Sequence, residues 1–157
     1  MAVREGGCAC GEVRYRLALD PLVTHCCHCR NCQLQTGSAF VINALIETDR
    51  LKLLAGEPDV VRLPRGGSGY QNVHRCPTCR IAVFSQYTRP QVRFVRAGTL
   101  DHPTSVAPDV HIFTRSKLPW VTLPEEVPAF QVYYDPEKVW PRKSLDRLAA
   151  AIERSRR

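Results

Sequence analysis

Seven of the eight cysteines in this 157-residue chain fall into three tight groups, Cys8-Ala9-Cys10, Cys27-His28-Cys29-Arg30-Asn31-Cys32 and Cys76-Pro77-Thr78-Cys79. They divide into one set of four thiols and one set of three. A tetrahedral zinc closed by four thiolates is a structural staple, whereas three protein ligands leave a position for water or substrate. The spacing predicts two zinc ions, one structural and one more labile at which chemistry takes place.

The redox setting decides against the rival reading of the even cysteine count as four disulfides. Met1–Gly7 has no apolar run of signal-peptide length, and no later stretch approaches a membrane span. A cytosolic protein without membrane association is expected, and closely spaced cysteines in a reducing compartment favour metal. At 157 residues the chain predicts a single zinc-binding domain over 1–157. The formal charge of +7 invites a nucleic-acid partner, but seven ligating thiolates and two divalent ions change it by −7 and +4, leaving +4. Part of the remainder sits in Arg154-Ser155-Arg156-Arg157, a solvated tail.

Twelve prolines and nine glycines cut the chain into short segments, so long helices are not expected before the C-terminus. Alternation in Val13–Leu17 predicts a half-buried strand just after Cys10, and Ala39–Ile42 with Ala44–Ile46 a buried strand after the three-cysteine loop. Further strands are expected at Leu51–Leu54, Val60–Leu63, Ile81–Tyr87, Val92–Gly98 and Val110–Thr114. Arg65–Gly69 reads as a flexible loop without the Gly-Lys-Ser/Thr ending of a phosphate-binding loop. Pro119–Pro141 reads as a surface wrap or mobile flap. A helix near 144–156, capped by Ser144, has Leu145, Leu148, Ala149 and Ile152 on one face and arginines on the other. The fold class is mainly β with one short C-terminal helix.

The two-residue spacing of Cys76 and Cys79 lets both sulfurs of one turn reach a single metal, and Cys8 with Cys10 completes four ligands. Arg80 stands where such turns favour glycine to relieve a left-handed backbone. The second group allows more than one register: Cys27, Cys29 and Cys32, or Cys26, Cys29 and Cys32, with His25 or His28 able to close the site. His28 reads as a hydrogen-bond donor to the ligands, a proton carrier or an exposed loop residue, and His111 as a core histidine. Thr36 and Ser38 are candidates to donate to the sulfurs, and Gly37 to permit a sharp turn. Phe40, Phe113, Trp120 and Trp140 read as core. Arg30, Arg62, Arg65 and Arg75 could meet carboxylates of a ligand, although solvated surface positions explain each of them.

These residues resemble the glutathione-dependent formaldehyde-activating enzymes and their wider relatives, including the centromere protein V group. Gly6-Gly7-Cys8-Ala9-Cys10-Gly11-Glu12-Val13-Arg14-Tyr15 is similar to the family's opening motif. Cys27–Cys32 followed by Thr36-Gly37-Ser38-Ala39-Phe40 resembles the central one, Cys76–Cys79 the later pair, and His111-Ile112-Phe113 with Ser116–Trp120 the closing segment. The motifs span residues 6–120, leaving 121–157 as an extension. The resemblance implies a zinc-stapled, Mss4-like fold of folded β-sheets. It implies a structural zinc on Cys8, Cys10, Cys76 and Cys79 and a catalytic zinc on Cys27, Cys29 and Cys32, with Cys26 extra to the pattern.

The implied activity is that of a carbon–sulfur lyase, in which glutathione and formaldehyde combine to S-hydroxymethylglutathione. A small-molecule thiol, glutathione or a relative, is the partner this implies. Two other classes compete: a non-catalytic zinc module binding nucleic acid or chromatin, favoured by the basic balance, and a thiol redox or metal-handling protein, favoured by Cys26.

Overall fold

Short strands punctuated by proline and glycine assemble into two sheets, giving the mainly β architecture that the alternation patterns predict. The computed structural model describes residues 3–65 and 69–156, so Gly66, Gly67 and Ser68 of the expected loop lie outside the described residues. In chain order the elements are β1 (Arg4–Gly7), β2 (Arg14–Leu17), β3 (Val23–Cys27), α1 (Arg30–Thr36), β4 (Val41–Glu47), β5 (Leu51–Ala55) and β6 (Asp59–Pro64). They continue with β7 (Tyr70–Arg75), β8 (Ala82–Gln86), β9 (Val92–Arg96), β10 (Val110–Ile112), α2 (Pro136–Val139) and α3 (Arg142–Arg154). The smaller sheet has the order β1-β2-β5 and the larger one β10-β3-β4-β9-β8-β7-β6.

Neighbours pair antiparallel except β10, which runs parallel to β3 and sets Val110, His111 and Ile112 opposite His25, Cys26 and Cys27. At β4 and β9 both faces of the larger sheet are covered, each by a different core cluster. On β4, Val41 and Leu45 enter one core cluster while Ala44 and Ile46 enter the other. On β9, Val92 and Phe94 divide from Val95 in the same way. Each such fully buried aliphatic side chain contributes about 1.5–3 kcal/mol.

The first cluster lies under α3 and the segment leading to it, with Tyr134, Trp140 and Leu148 packed against Cys27, Val41 and Leu45. The second lies under the small sheet, where Val13, Tyr15 and Leu17 meet Ala44, Ile46, Val83 and Val95. Residues 119–141 are therefore anchored: His111 N–H donates to Pro128 O, Phe130 N–H donates to His111 O, and Tyr134 and Trp140 are core residues.

The C-terminal helix departs from the expectation at its start. It begins at Arg142 after Pro141, which makes no side-chain cap, and Ser144 is buried inside it instead of capping it. A proline just before the first turn suits this start because the first N–H groups have no helical partner in any case. Its inward face carries Ser144, Leu148 and Ala151, while Ala149 is exposed and Arg147 turns inward. The run from His25 to Cys32, read as a loop, is strand β3 followed by α1.

Candidate metal centres

Two turns of matching form bring four sulfurs together. Cys8 N–H donates to Val13 O and Cys76 N–H to Ile81 O, both at 3.0 Å, closing a tight loop over each cysteine pair. Val13 N–H points to Cys8 Sγ at 3.3 Å and Cys79 N–H to Cys76 Sγ at 3.4 Å. Gly7, which leads into the first turn, has no room for a side chain, since a Cβ there would lie 2.3 Å from Val13 O. Arg80 adopts the left-handed conformation expected of its position, with φ 62°, and its guanidinium pairs with Asp59 at 2.6 Å.

Cys8, Cys10, Cys76 and Cys79 have their sulfurs within 4.8 Å of one another, with Cys8–Cys10 at 3.5 Å and Cys10–Cys76 at 3.6 Å. Tetrahedral zinc with Zn–S bonds of about 2.3 Å places sulfurs roughly 3.8 Å apart. The four residues fit that ion in donor type, number and spacing. Hydrogen bonds from the backbone N–H of Ile81 and Cys10 bring the Cys79 thiol down to about 6, so the turns favour a thiolate before any metal arrives.

Cys27 ends β3, Cys29 caps α1 and Cys32 lies in its first turn, so one strand-to-helix corner brings the three sulfurs within 4.8 Å of one another. Cys29 Sγ accepts from Cys32 N–H at 3.3 Å, and Gly37 closes the helix in the left-handed conformation at φ 62°. Hydrogen bonds from the Cys27 and Cys32 thiols, joined by the Cys32 and Asn31 backbone, hold Cys29 down at about 2. Donation to Cys29 and Cys32 pushes Cys27 strongly up. The group thus carries its first negative charge on Cys29, the one sulfur residue of the three that is not fully buried. Three soft thiol donors at one corner also fit zinc.

Several neighbours stand elsewhere than the sequence suggests. Thr36 donates its hydroxyl to Cys32 O at 2.9 Å and Ser38 N–H points to Thr36 Oγ1, so neither side chain bonds a sulfur. His28 is fully buried, not an exposed loop residue. Its Nε2 lies 3.6 Å from Cys26 Sγ and 3.0 Å from His111 Nδ1, and Cys26 shares no group with Cys29 and Cys32. Burial, followed by the neighbouring His111 and Lys117, lowers His28 to about 4, and burial lowers His25 to about 4 and His111 as well, so all three imidazoles are neutral near pH 7. Sequence reasoning missed Arg96. It is buried on β9, donates to Asn43 Oδ1 and to Gln35 Oε1, and acts electrostatically on Cys32. Nothing in the sequence distinguished it from Arg93 on the same strand.

Trp120, read as core, is 73% exposed and forms one wall of a groove of ≈ 600 Å³ with Arg30, Gln33, Leu34, Gly37, Ser38 and Leu118. Trp140 is buried as expected. Arg62 lies over the Tyr70 ring and Arg65 over Tyr87, and Arg75 donates to Arg80 O. Of the four arginines considered for ligand carboxylates, Arg30 is the one in this groove, immediately after Cys29. Among the described residues no helix is long and apolar enough to cross a membrane.

A family model described as glutathione-dependent formaldehyde-activating enzyme matches residues 3–116. No protein of curated function matches the chain. Among solved structures, a crystal structure of a Rhodobacter sphaeroides protein from a structural-genomics programme aligns at 19% identity and TM-score 0.46, over 80% of this chain and 99% of that one.

Proposed function

The chain belongs to the glutathione-dependent formaldehyde-activating enzyme family, and on that footing we propose that it is a zinc-dependent carbon–sulfur lyase acting on glutathione or a related thiol–aldehyde adduct in the reducing cytosol. The observation that carries this reading is the corner of Cys27, Cys29 and Cys32, whose least buried member immediately precedes Arg30 of the groove. In this reading Cys8, Cys10, Cys76 and Cys79 hold a structural zinc, and Cys27, Cys29 and Cys32 a second one.

When bound, the second ion lowers the pKa of an incoming thiol or polarises a small carbonyl. The chemistry is an addition: the thiol sulfur bonds to the aldehyde carbon as the C=O π bond breaks, the proton the thiol loses ends on the former carbonyl oxygen, and nothing is oxidised or reduced overall. Three thiolates make the site net negative with a divalent ion, which favours handling a thiol over hydrolysis. Arg96, held by Asn43 and Gln35, sets a fixed positive charge toward Cys32. Gln33 Nε2 donates to His28 O and Ser116 O, both at 2.9 Å, and so fixes the corner against the segment leading to Trp120. Trp120 and Arg30 then bind the body and a carboxylate of the thiol substrate. The nucleic-acid alternative is weakened because Arg4, Arg14, Arg16, Arg80, Arg147 and Arg154 are each tied to a carboxylate.

The test follows glutathione and formaldehyde exchange with S-hydroxymethylglutathione by NMR. Zinc-loaded wild type should accelerate it, while zinc-stripped protein and Cys29→Ser should not. No acceleration across a panel of thiols and aldehydes, together with steeply salt-dependent DNA binding, would replace the enzyme by a binding module.

A further inference from the structure

Strand alternation gives the end of β3 two chemically different faces. Cys27 points to the cluster under α3, with Val23, Val41 and Leu45. Its neighbours Cys26 and His28 therefore project to the opposite side, and the parallel register with β10 sets His111 directly across from Cys26. The result is a second convergence of donors on residues that the sulfur groups do not use. Cys26 Sγ lies 3.6 Å from His28 Nε2, that nitrogen lies 3.0 Å from His111 Nδ1, and all three donor atoms fall within 4.8 Å of one another.

We propose that Cys26, His28 and His111 form a third metal site, taking zinc or a similar divalent transition ion independently of the two cysteine groups. The donor chemistry suits such an ion: one thiolate and two imidazoles make a common tetrahedral set with one exchangeable position. With bonds of about 2.3 Å to sulfur and 2.0–2.1 Å to nitrogen, such donors lie roughly 3.4–3.6 Å apart, which matches the Cys26–His28 separation and exceeds that of the two rings by a few tenths of an ångström. One thiolate balances half the charge of the ion, which a buried site needs. Sheet hydrogen bonding fixes the frame, since β3 is paired on both sides and His28 N–H donates to Ile112 O at 3.0 Å. The outer nitrogens, His28 Nδ1 and His111 Nε2, have no hydrogen-bond partner among the described residues. Nothing beyond the triad therefore sets the ring tautomers, and the converging atoms decide them.

Occupancy makes a specific statement about protons. With an ion bound, His28 Nε2 and His111 Nδ1 both present lone pairs, so both rings carry their protons on the outer nitrogens. Without an ion the short His28–His111 contact needs a proton between the rings, so one ring has the opposite tautomer.

Native mass spectrometry of the full chain saturated with Zn²⁺, read beside nitrogen-15 spectra of the histidine rings, tests this. The expected result is three ions per wild-type chain, two in Cys26→Ala and in His111→Ala, and one in Cys26→Ala combined with Cys29→Ser, with both wild-type rings protonated on their outer nitrogens. Cys26→Ala is a small buried change and keeps the test open if His111→Ala does not fold. Two ions in the wild type, a third ion that survives Cys26→Ala, or a double variant that retains two ions would each overturn the proposal. The last outcome would put Cys26 in the shell of Cys29 instead.

Discussion

Arg147 on α3 donates from Nε and Nη2 to the two carboxylate oxygens of Glu47 at the end of β4, at 2.8 and 2.6 Å, and the Glu47 side chain is only 2% exposed. A third bond runs from Arg147 Nη1 to Asp20 O at 2.9 Å. The helix is thus held to the large sheet by an ion pair as well as by Leu148 and Ala151. Removing the arginine strands a buried charge, so Arg147→Ala should cost about 3 kcal/mol, read as a lower urea midpoint at unchanged slope. Glu47→Gln combined with Arg147→Met should recover much of that loss.

The two sulfur groups should separate fold from activity. Cys76→Ser opens the site that joins Cys8 and Cys10 to the middle of the chain, and it should lose an ion together with the cooperative thermal transition. Cys29→Ser should keep the transition within a few degrees of wild type. Circular dichroism melts alongside metal analysis give the comparison, and equal loss of structure in both variants would contradict the division of roles.

On the proposed reading, Trp120 bears on substrate and not on stability. Because the ring is 73% exposed, Trp120→Ala should move the unfolding free energy by no more than about 0.5 kcal/mol. In steady-state kinetics of adduct turnover it should raise KM several-fold with kcat little changed. A large fall in stability with KM intact would return the residue to a packing role.

Tyr15 gives a pH dependence with a definite sign. Its fully buried phenol donates to or accepts from Thr99 Oγ1 at 2.7 Å, and burial raises it from 10.0 to about 12. The unfolded chain ionises first, so the contribution of Tyr15 is complete below pH 10 and is lost as pH rises through about 12, by roughly 2–3 kcal/mol. Tyr15→Phe should be less stable at pH 7 by about 1 kcal/mol, for the lost hydrogen bond. It should then lose less than wild type between pH 10 and 12 in urea titrations.

Legibility followed the strength of each local signal. Strands with clean alternation, such as Arg14–Leu17, and the long apolar run of β4 stood out because their pattern and their burial agree. Strand β3 did not: its residues Val23–Cys27 are all buried, and a threonine, a histidine and two adjacent cysteines gave neither an apolar run nor an alternation. Helix α1 is seven residues long and was hidden inside the cysteine spacing. Trp120 was misjudged because residue type alone predicts burial, whereas this ring stands at the mouth of a groove. Arg80 was legible because the turn demands a left-handed residue whatever its side chain. The membership of the sulfur groups came from spacing, but the separation of Cys26 from Cys27 needed the sheet, which alone assigns their opposite faces.

The parallel β3–β10 pair bears on the order in which a chain emerging from the ribosome can take shape. All four cysteines of the first sulfur group have been synthesised by residue 79, together with the strands of the small sheet. Strand β3, which carries Cys26 and Cys27, gains its second neighbour only with Val110–Ile112, and α3 follows later still. Until then its outer edge presents unpaired backbone groups and three converging thiols to whatever is nearby, so a nascent chain that has already gathered its first sulfur group has its second one unshielded.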